Sequence, residues 1–275
     1  MGQTIACANQ KGGVGKTTTV VNLASYLALL GDRVLVIDLD PQGNGTSGLG
    51  VDRSTVERSI YDAIIDDVAL DNLVVRGTAE GVDLIPSAIA LAGAELELAG
   101  IPARERRLRR LVEPISSDYD VILIDCPPSL GLLTVNALTA ADAVLVPLQC
   151  EYYALEGLTQ LLATIDLVRD NLNPRLGLDG VVLTMYDART NLSADVAAEA
   201  RRHLGGSVYK TVIPRSVRLS EAPSHGLPIT RYAPESRGAA AYAELAHEFR
   251  ARSSSAAASV SSTSAQARDA AMVLS

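Results

Sequence analysis

The sequence has no tryptophan, one phenylalanine and only three cysteines. With so few rings, the core of a 275-residue chain must be built from Val, Ile, Leu and Ala. That is the composition of a parallel sheet buried on both faces. Cys7, Cys126 and Cys150 make no CxxC pair and no zinc spacing. This excludes a disulfide scaffold and gives no support to an iron–sulfur centre. Each lies in or beside a strand-like run, where a thiol serves as a small apolar filler. His203, His225 and His247 are scattered, without metal spacing. No apolar run reaches the length of a membrane span, and neither a basic segment nor an apolar h-region follows Met1. The expectation is a cytoplasmic protein.

Positive charge is also scarce, with a net charge of −8, which ordinarily argues against nucleic acid. The distribution matters more than the total. From Asp187 to Arg237 there are eight basic and five acidic residues, so this stretch carries +3 and the remainder −11. A local basic patch on an acidic protein follows, with Arg189, Lys210, Arg215 and Arg218 as its candidates. A second basic cluster, Arg104 to Arg110, reads as the solvated face of a helix anchored by Leu108 and Leu111.

What the chain does have is glycine at one decisive place. An apolar run, Thr4 to Ala8, leads into Asn9-Gln10-Lys11-Gly12-Gly13-Val14-Gly15-Lys16-Thr17-Thr18, and an apolar-periodic segment to Leu30 leads out. In this strand–loop–helix order, a loop almost without side chains lets backbone N–H groups close on phosphate oxygens, and the helix aims its positive end at them. Lys16 then reaches the β- and γ-phosphates, and the Thr17 hydroxyl ligates Mg²⁺. The usual pattern wants glycine where Gln10 stands, and it does not require Lys11.

Further apolar strands are expected at Arg33–Asp38, Val82–Pro86, Tyr119–Asp125, Ala143–Leu148, Val181–Met185 and Val208–Ile213, with a strand-like piece at Asn72–Arg76. Helical patterns fall at Val56–Ile65, Leu91–Leu98, Leu155–Leu172 and Glu235–Arg250. The fold class is α/β: a single P-loop NTPase-type domain over residues 1–251, with a mostly parallel twisted sheet and helices on both faces. Residues 252–275, rich in Ser and Ala, are expected to be disordered. Ligands of such sheets sit at the carboxyl ends of strands. That places Asp40 beside the γ-phosphate, where it can orient the attacking water, although an Asx turn before Pro41 is the plainer alternative. Asp125, ending its strand in register with the loop, reads as the acid that holds a water on the metal.

Lys11-Gly12-Gly13-Val14-Gly15-Lys16-Thr17 resembles the deviant Walker A motif of the ParA/MinD ATPases, and Asp38-Leu39-Asp40-Pro41-Gln42-Gly43-Asn44 their switch I. Cys126-Pro127-Pro128-Ser129 resembles switch II. The exit loops at Tyr186–Asn191 and Pro214–Gly226 are similar to those of the chromosomal, Soj-like members. The resemblance implies a weak, Mg²⁺-dependent ATP hydrolase that forms an ATP-dependent homodimer. Lys11 crosses the interface to the partner's nucleotide, Gly12 and Glu151 lie at that interface (an acid at a helix start being the equal alternative for Glu151), and Asp40 is the hydrolytic residue. Pro214 and Ser216 pack on the adenine, Ser216 standing where the family has Asn. Arg189 and Arg218 bind the backbone of nonspecific double-stranded DNA, which makes the protein nucleoid-associated. A ParB-type centromere-binding protein stimulates hydrolysis. The rival readings are a MinD-like membrane-associated ATPase, whose Lys-rich amphipathic end has no counterpart in the tail from Arg252, and a ParA-like positioner of protein cargo.

Overall fold

The computed structural model describes residues 2–151 and 154–254, with the side chains of residues 154–156 left out. The apolar runs become strands and the glycine- or proline-marked segments become their connections. In chain order the elements are β1 (Gln3–Cys7), α1 (Lys16–Leu29), β2 (Val34–Asp38), α2 (Asn44–Gly48), α3 (Ile60–Asp66), β3 (Asp83–Ile85), α4 (Leu91–Leu98) and α5 (Arg107–Val112). There follow β4 (Val121–Asp125), α6 (Leu132–Ala140), β5 (Ala143–Gln149), α7 (Ala154–Asn171), β6 (Gly177–Tyr186), α8 (Asn191–Leu204), β7 (Val208–Pro214), α9 (Val217–Glu221) and α10 (Ile229–Tyr232). A last helix, α11, spans 237–254.

The strands form one sheet in the order β3-β2-β4-β1-β5-β6-β7, and every pairing is parallel. Successive strand residues serve opposite faces. Ala6, Leu35, Ile37, Ile122 and Ile124 pack with α3 to α8 on one side. Ile5, Cys7, Val34, Val36, Val121 and Leu123 pack with α1, α10 and α11 on the other. The few rings are concentrated on this second side, where Tyr209, Tyr242 and Phe249 are among the largest fully buried side chains. β1 lies between β4 and β5, so the chain crosses over in opposite directions around its carboxyl end. That is the crevice where such sheets bind ligands.

Three expectations need correction. Asn72–Arg76 is not a strand: a 3-10 turn covers Leu70–Asn72, and Val75 makes a single antiparallel bridge to Leu84. The chain turns at once through Gly77 and Gly81, both at positive φ, which ends the pairing after one residue. The basic run is not wholly solvated. Arg107 is 8% exposed; it donates to the Ile64 and Ile65 carbonyls and pairs with Asp67, satisfying the open end of α3. Residues 252–254 continue α11, and Arg252 lies 4.1 Å over the Tyr209 ring, an anchor that carries the helix past its expected end. The rest of the expected disordered tail lies outside the described residues. All three cysteines are buried and free, as apolar fillers should be. No helix among the described residues is long and apolar enough to cross a membrane.

Candidate nucleotide site

The loop between β1 and α1 is held from below by its neighbours. Asn9 donates to the Pro147 carbonyl at 2.7 Å and accepts from Lys11 N–H at 3.0 Å, and the Thr184 hydroxyl donates to the Val14 carbonyl at 2.8 Å. Gly13 (φ 75) and Gly15 (φ 90) take left-handed conformations that no other residue adopts cheaply. Gly15 caps α1 with no side chain, and the first turn carries no acid. The leading N–H groups of α1 are therefore left for an anion. Lys16 is buried, its Nζ donating to the Lys11 carbonyl at 3.2 Å across the loop. Gly12 approaches switch II, its missing Cβ falling 3.8 Å from Pro128 Cβ. Thr17 and Thr18 open α1 beside them.

Two acids face this loop from the ends of adjacent strands. Asp38 and Asp125 are register partners across β2 and β4, and both are fully buried. Gly45 sits against the pair: a Cβ there would come within 3.0 Å of Asp38 Oδ2 and 3.3 Å of Asp125 Oδ2. Asp38 accepts from Thr46 N–H at 2.7 Å, Thr46 Oγ1 at 2.8 Å and Asp40 N–H at 3.1 Å. Burial still pushes its carboxyl up to about 6. Asp125 is pushed well up, first by burial and then by the charge of Asp38, with Thr17 and Lys16 acting the other way. Neither Asp125 oxygen is satisfied by a geometrically sound hydrogen bond within the described residues. A buried, orphaned carboxylate beside a threonine hydroxyl and a lysine fits a hydrated divalent cation.

Asp40 is 8% exposed and accepts from Gln42 N–H at 2.9 Å. The Asx turn is therefore real, and it leaves the second carboxylate oxygen for other use. The Asp40 carbonyl is held by Ser87 Oγ at 2.6 Å, and Ser87 N–H donates to Thr46 Oγ1 at 3.0 Å. Asp38, Ser87, Asn9 and Thr184 were not legible as site residues. An in-register acid two residues before Asp40 was the one available signal, for Asp38.

The remaining candidates are brought together only in part. Lys11 pairs with Glu151 of the same chain at 2.7 Å, both about half exposed. Arg189 and Arg215 gather around Asp187, at the exits of β6 and β7. Arg189 grips Asp187 with two nitrogens at 2.9 and 2.7 Å, and together with Arg215 it holds that carboxyl well below its ordinary range. Met185, at φ 51, turns β6 into this loop. Arg218 pairs with Glu221 at 3.0 Å, and Glu221 also accepts from the Tyr232 hydroxyl. Pro214 ends β7 and Ser216 precedes α9, with no capping bond from the Ser216 side chain. Lys210 does not join the arginines: it lies toward the opposite end of β7, where its backbone N–H donates to Glu248 at 2.8 Å. The extended strand between Lys210 and Arg215 separates the two positions by about 17 Å.

Residues 2–178 match the family model described as an AAA domain. The sporulation initiation inhibitor protein Soj of Bacillus subtilis is 58% identical over 251 residues, covering 91% of this chain and 99% of that protein. The chromosome partitioning protein ParA of Caulobacter vibrioides is 53% identical over 250 residues, covering 90% of this chain and 94% of that protein. Among solved structures, the fold is similar to a Mycobacterium smegmatis protein named cobyrinic acid a,c-diamide synthase, solved with bound ADP and magnesium. Its TM-score is 0.79 at 43% identity, with 90% of this chain and 93% of that chain covered. With the deviant loop, the paired strand-end acids and this likeness together, the chain belongs to the ParA/Soj family of ATPases.

Proposed function

We propose that this protein partitions DNA by coupling ATP occupancy to homodimerisation and to sequence-independent DNA binding. The observation that carries the reading is Asp125: two buried, unsatisfied oxygens under an uncapped helix start, beside Lys16 and Thr17. Relatives named as chromosome partitioning proteins support the biological role. The ligand pair, ATP and Mg²⁺, is supported by the similar structure solved with ADP and magnesium.

The amides of Gly12 to Thr18 and the Lys16 ammonium bind the β- and γ-phosphates, the ammonium exchanging the Lys11 carbonyl for phosphate oxygen. Thr17 and Asp125 are the residues that would hold the metal, Asp125 by way of a water. When bound, the cation neutralises charge developing between the β- and γ-phosphates. Asp40 orients a water in line with the γ-phosphate and accepts its proton. Pro214 and Ser216 border the base. Lys11 leaves Glu151 and reaches the phosphates of the second copy, so that Gly12 and Glu151 come to lie at the interface. Closing two copies aligns two sets of Arg189, Arg215 and Arg218, and doubling the phosphate contacts multiplies affinity for any duplex. A preference of ~3–5 kcal/mol for the closed dimer is enough for a decisive switch. DNA binding by the ATP dimer keeps the protein on the nucleoid, and a ParB-type partner accelerates hydrolysis and thereby release.

The test is steady-state phosphate release with Mg²⁺-ATP, with and without duplex DNA. Slow turnover abolished by Lys16→Ala is expected; turnover that survives this change overturns the reading.

A further inference from the structure

Asp40 stands where a rigid strand gives way to a turning loop. β2 ends at Asp38, and Gly43, at φ 61, turns the chain into α2. Each residue has only two soft backbone dihedrals. Holding both the N–H and the C=O of one residue therefore fixes its backbone, and with it the direction of the Cα–Cβ bond.

Asp40 is held in this way at both ends. Its N–H donates to Asp38 Oδ1 at 3.1 Å. Its carbonyl accepts from Gly43 N–H at 2.8 Å and again from Ser87 Oγ at 2.6 Å. The bond from Gly43 belongs to the loop itself and moves with it, whereas the bond from Ser87 comes from the exit of β3. That exit is anchored in turn, because the Pro86 carbonyl accepts from Ile60 N–H at 2.9 Å and ties it to α3. Ser87 N–H donates to Thr46 Oγ1 at 3.0 Å, and Thr46 donates both its N–H and its hydroxyl to Asp38 Oδ2. The four residues thus close a ring of hydrogen bonds. Asp38, Thr46 and Ser87 are fully buried, so bulk water does not compete for these bonds.

The Ser87 hydroxyl is not required to satisfy a buried acceptor. Gly43 already serves the Asp40 carbonyl, and a buried hydroxyl is itself a group that burial penalises unless it is bonded. What the Ser87 bond adds is position.

We propose that Ser87 is a positioning residue for hydrolysis: with Thr46 and Asp38 it closes a buried ring that sets the direction of the Asp40 carboxylate. The ring stands on the geometry alone; its effect on turnover rests on the function proposed above.

The test is steady-state ATP turnover by the full chain, with variants that separate the hydrogen bond from the packing. Ser87→Ala removes the hydroxyl, and Ser87→Cys nearly keeps the shape with a much weaker donor. The control, Ser25→Ala, removes another fully buried serine hydroxyl, which donates to the Val21 carbonyl inside α1. Ser87→Ala and Ser87→Cys should each lower kcat about tenfold, short of the 10²-fold that a displacement of about 1 Å can cost. KM for ATP should not change, and Ser25→Ala should turn over as the wild type does. In the Asp40→Ala background, Ser87→Ala should cost nothing more, because the group it positions is gone. Without nucleotide, hydrogen exchange over residues 39–45 should be faster in Ser87→Ala than in the wild type, and alike over β1 and β4.

An unchanged kcat in Ser87→Ala, ordinary turnover in Ser87→Cys, a further loss on top of Asp40→Ala, or unaltered exchange overturns the positioning role. A wild type without ATP turnover, or an Asp40→Ala variant with ordinary turnover, refutes the function proposed above, and the exchange then decides the ring by itself.

Discussion

The phosphate site and the arginine loops hold their charges in opposite ways. At the first, Lys16, Asp38 and Asp125 are buried, and Asp125 is left without a sound partner. At the second, Arg189 and Arg218 are exposed and each is already paired with an acid of its own loop. A buried polar group without a hydrogen-bond partner is costly, and such a group marks a place where a ligand is bound. An exposed pair contributes little and points to nothing by itself. The ATP site can thus be argued from structure, whereas the DNA contact depends on the likeness of the loops and on what phosphate does when it competes with Asp187 and Glu221.

Four experiments sharpen this contrast. The largest effect is expected for Lys16→Ala, which should remove measurable binding of a fluorescent ATP analogue; retained binding would mean that the buried lysine is structural. Next, Asp40→Ala should leave ATP binding intact and lower phosphate release by about 10²-fold or more, the scale of a lost general base. Light scattering should then show an accumulated ATP-bound dimer, and ordinary turnover would leave only the Asx turn as its role.

The acid pair predicts an inverted pH dependence. Asp38, raised to about 6 by burial, and Asp125, raised likewise, bind protons more tightly folded than unfolded. The stability that Asp38 contributes is full below the unfolded value of about 4 and is lost as pH rises through about 6, and Asp125 acts in the same direction. Without Mg²⁺ the melting temperature should fall by roughly 5 °C across that window. Mg²⁺-ATP should restore it, and Asp125→Asn should flatten the dependence. A melting temperature that rises through the same window would show that these carboxylates are not the controlling groups.

The smallest effects belong to the arginines. Arg189→Ala and Arg218→Ala should each weaken binding to every DNA sequence alike and reduce the salt slope by about 0.9 per lost phosphate contact. A loss confined to particular sequences would count against backbone contact.

Most of the sheet was legible because a parallel strand buried on both faces is written as an uninterrupted apolar run, as in Val34–Asp38 and Val121–Asp125. The glycine loop was legible because phosphate binding demands a local pattern. What escaped depends on distant neighbours. Arg107 lies in a run of arginines that looks solvated, and only the end of α3 singles it out. Ser87 and Thr184 are ordinary hydroxyls until the fold sets them against Asp40 and Val14. Lys210 carries the right charge but lies too far along β7 to join the arginine cluster. Leu96 falls within the helical pattern expected over Leu91–Leu98, and the structure leaves it exposed.

The central claim is that nucleotide decides whether the arginine loops grip DNA. Its most direct test is the affinity of the purified protein for a duplex of arbitrary sequence at one fixed salt concentration, with Mg²⁺-ATP, with Mg²⁺-ADP and with neither. Tight binding with ATP alone, accompanied by a doubled mass in light scattering, is the predicted result. Equal affinity in all three conditions, or a monomer saturated with ATP, would contradict it.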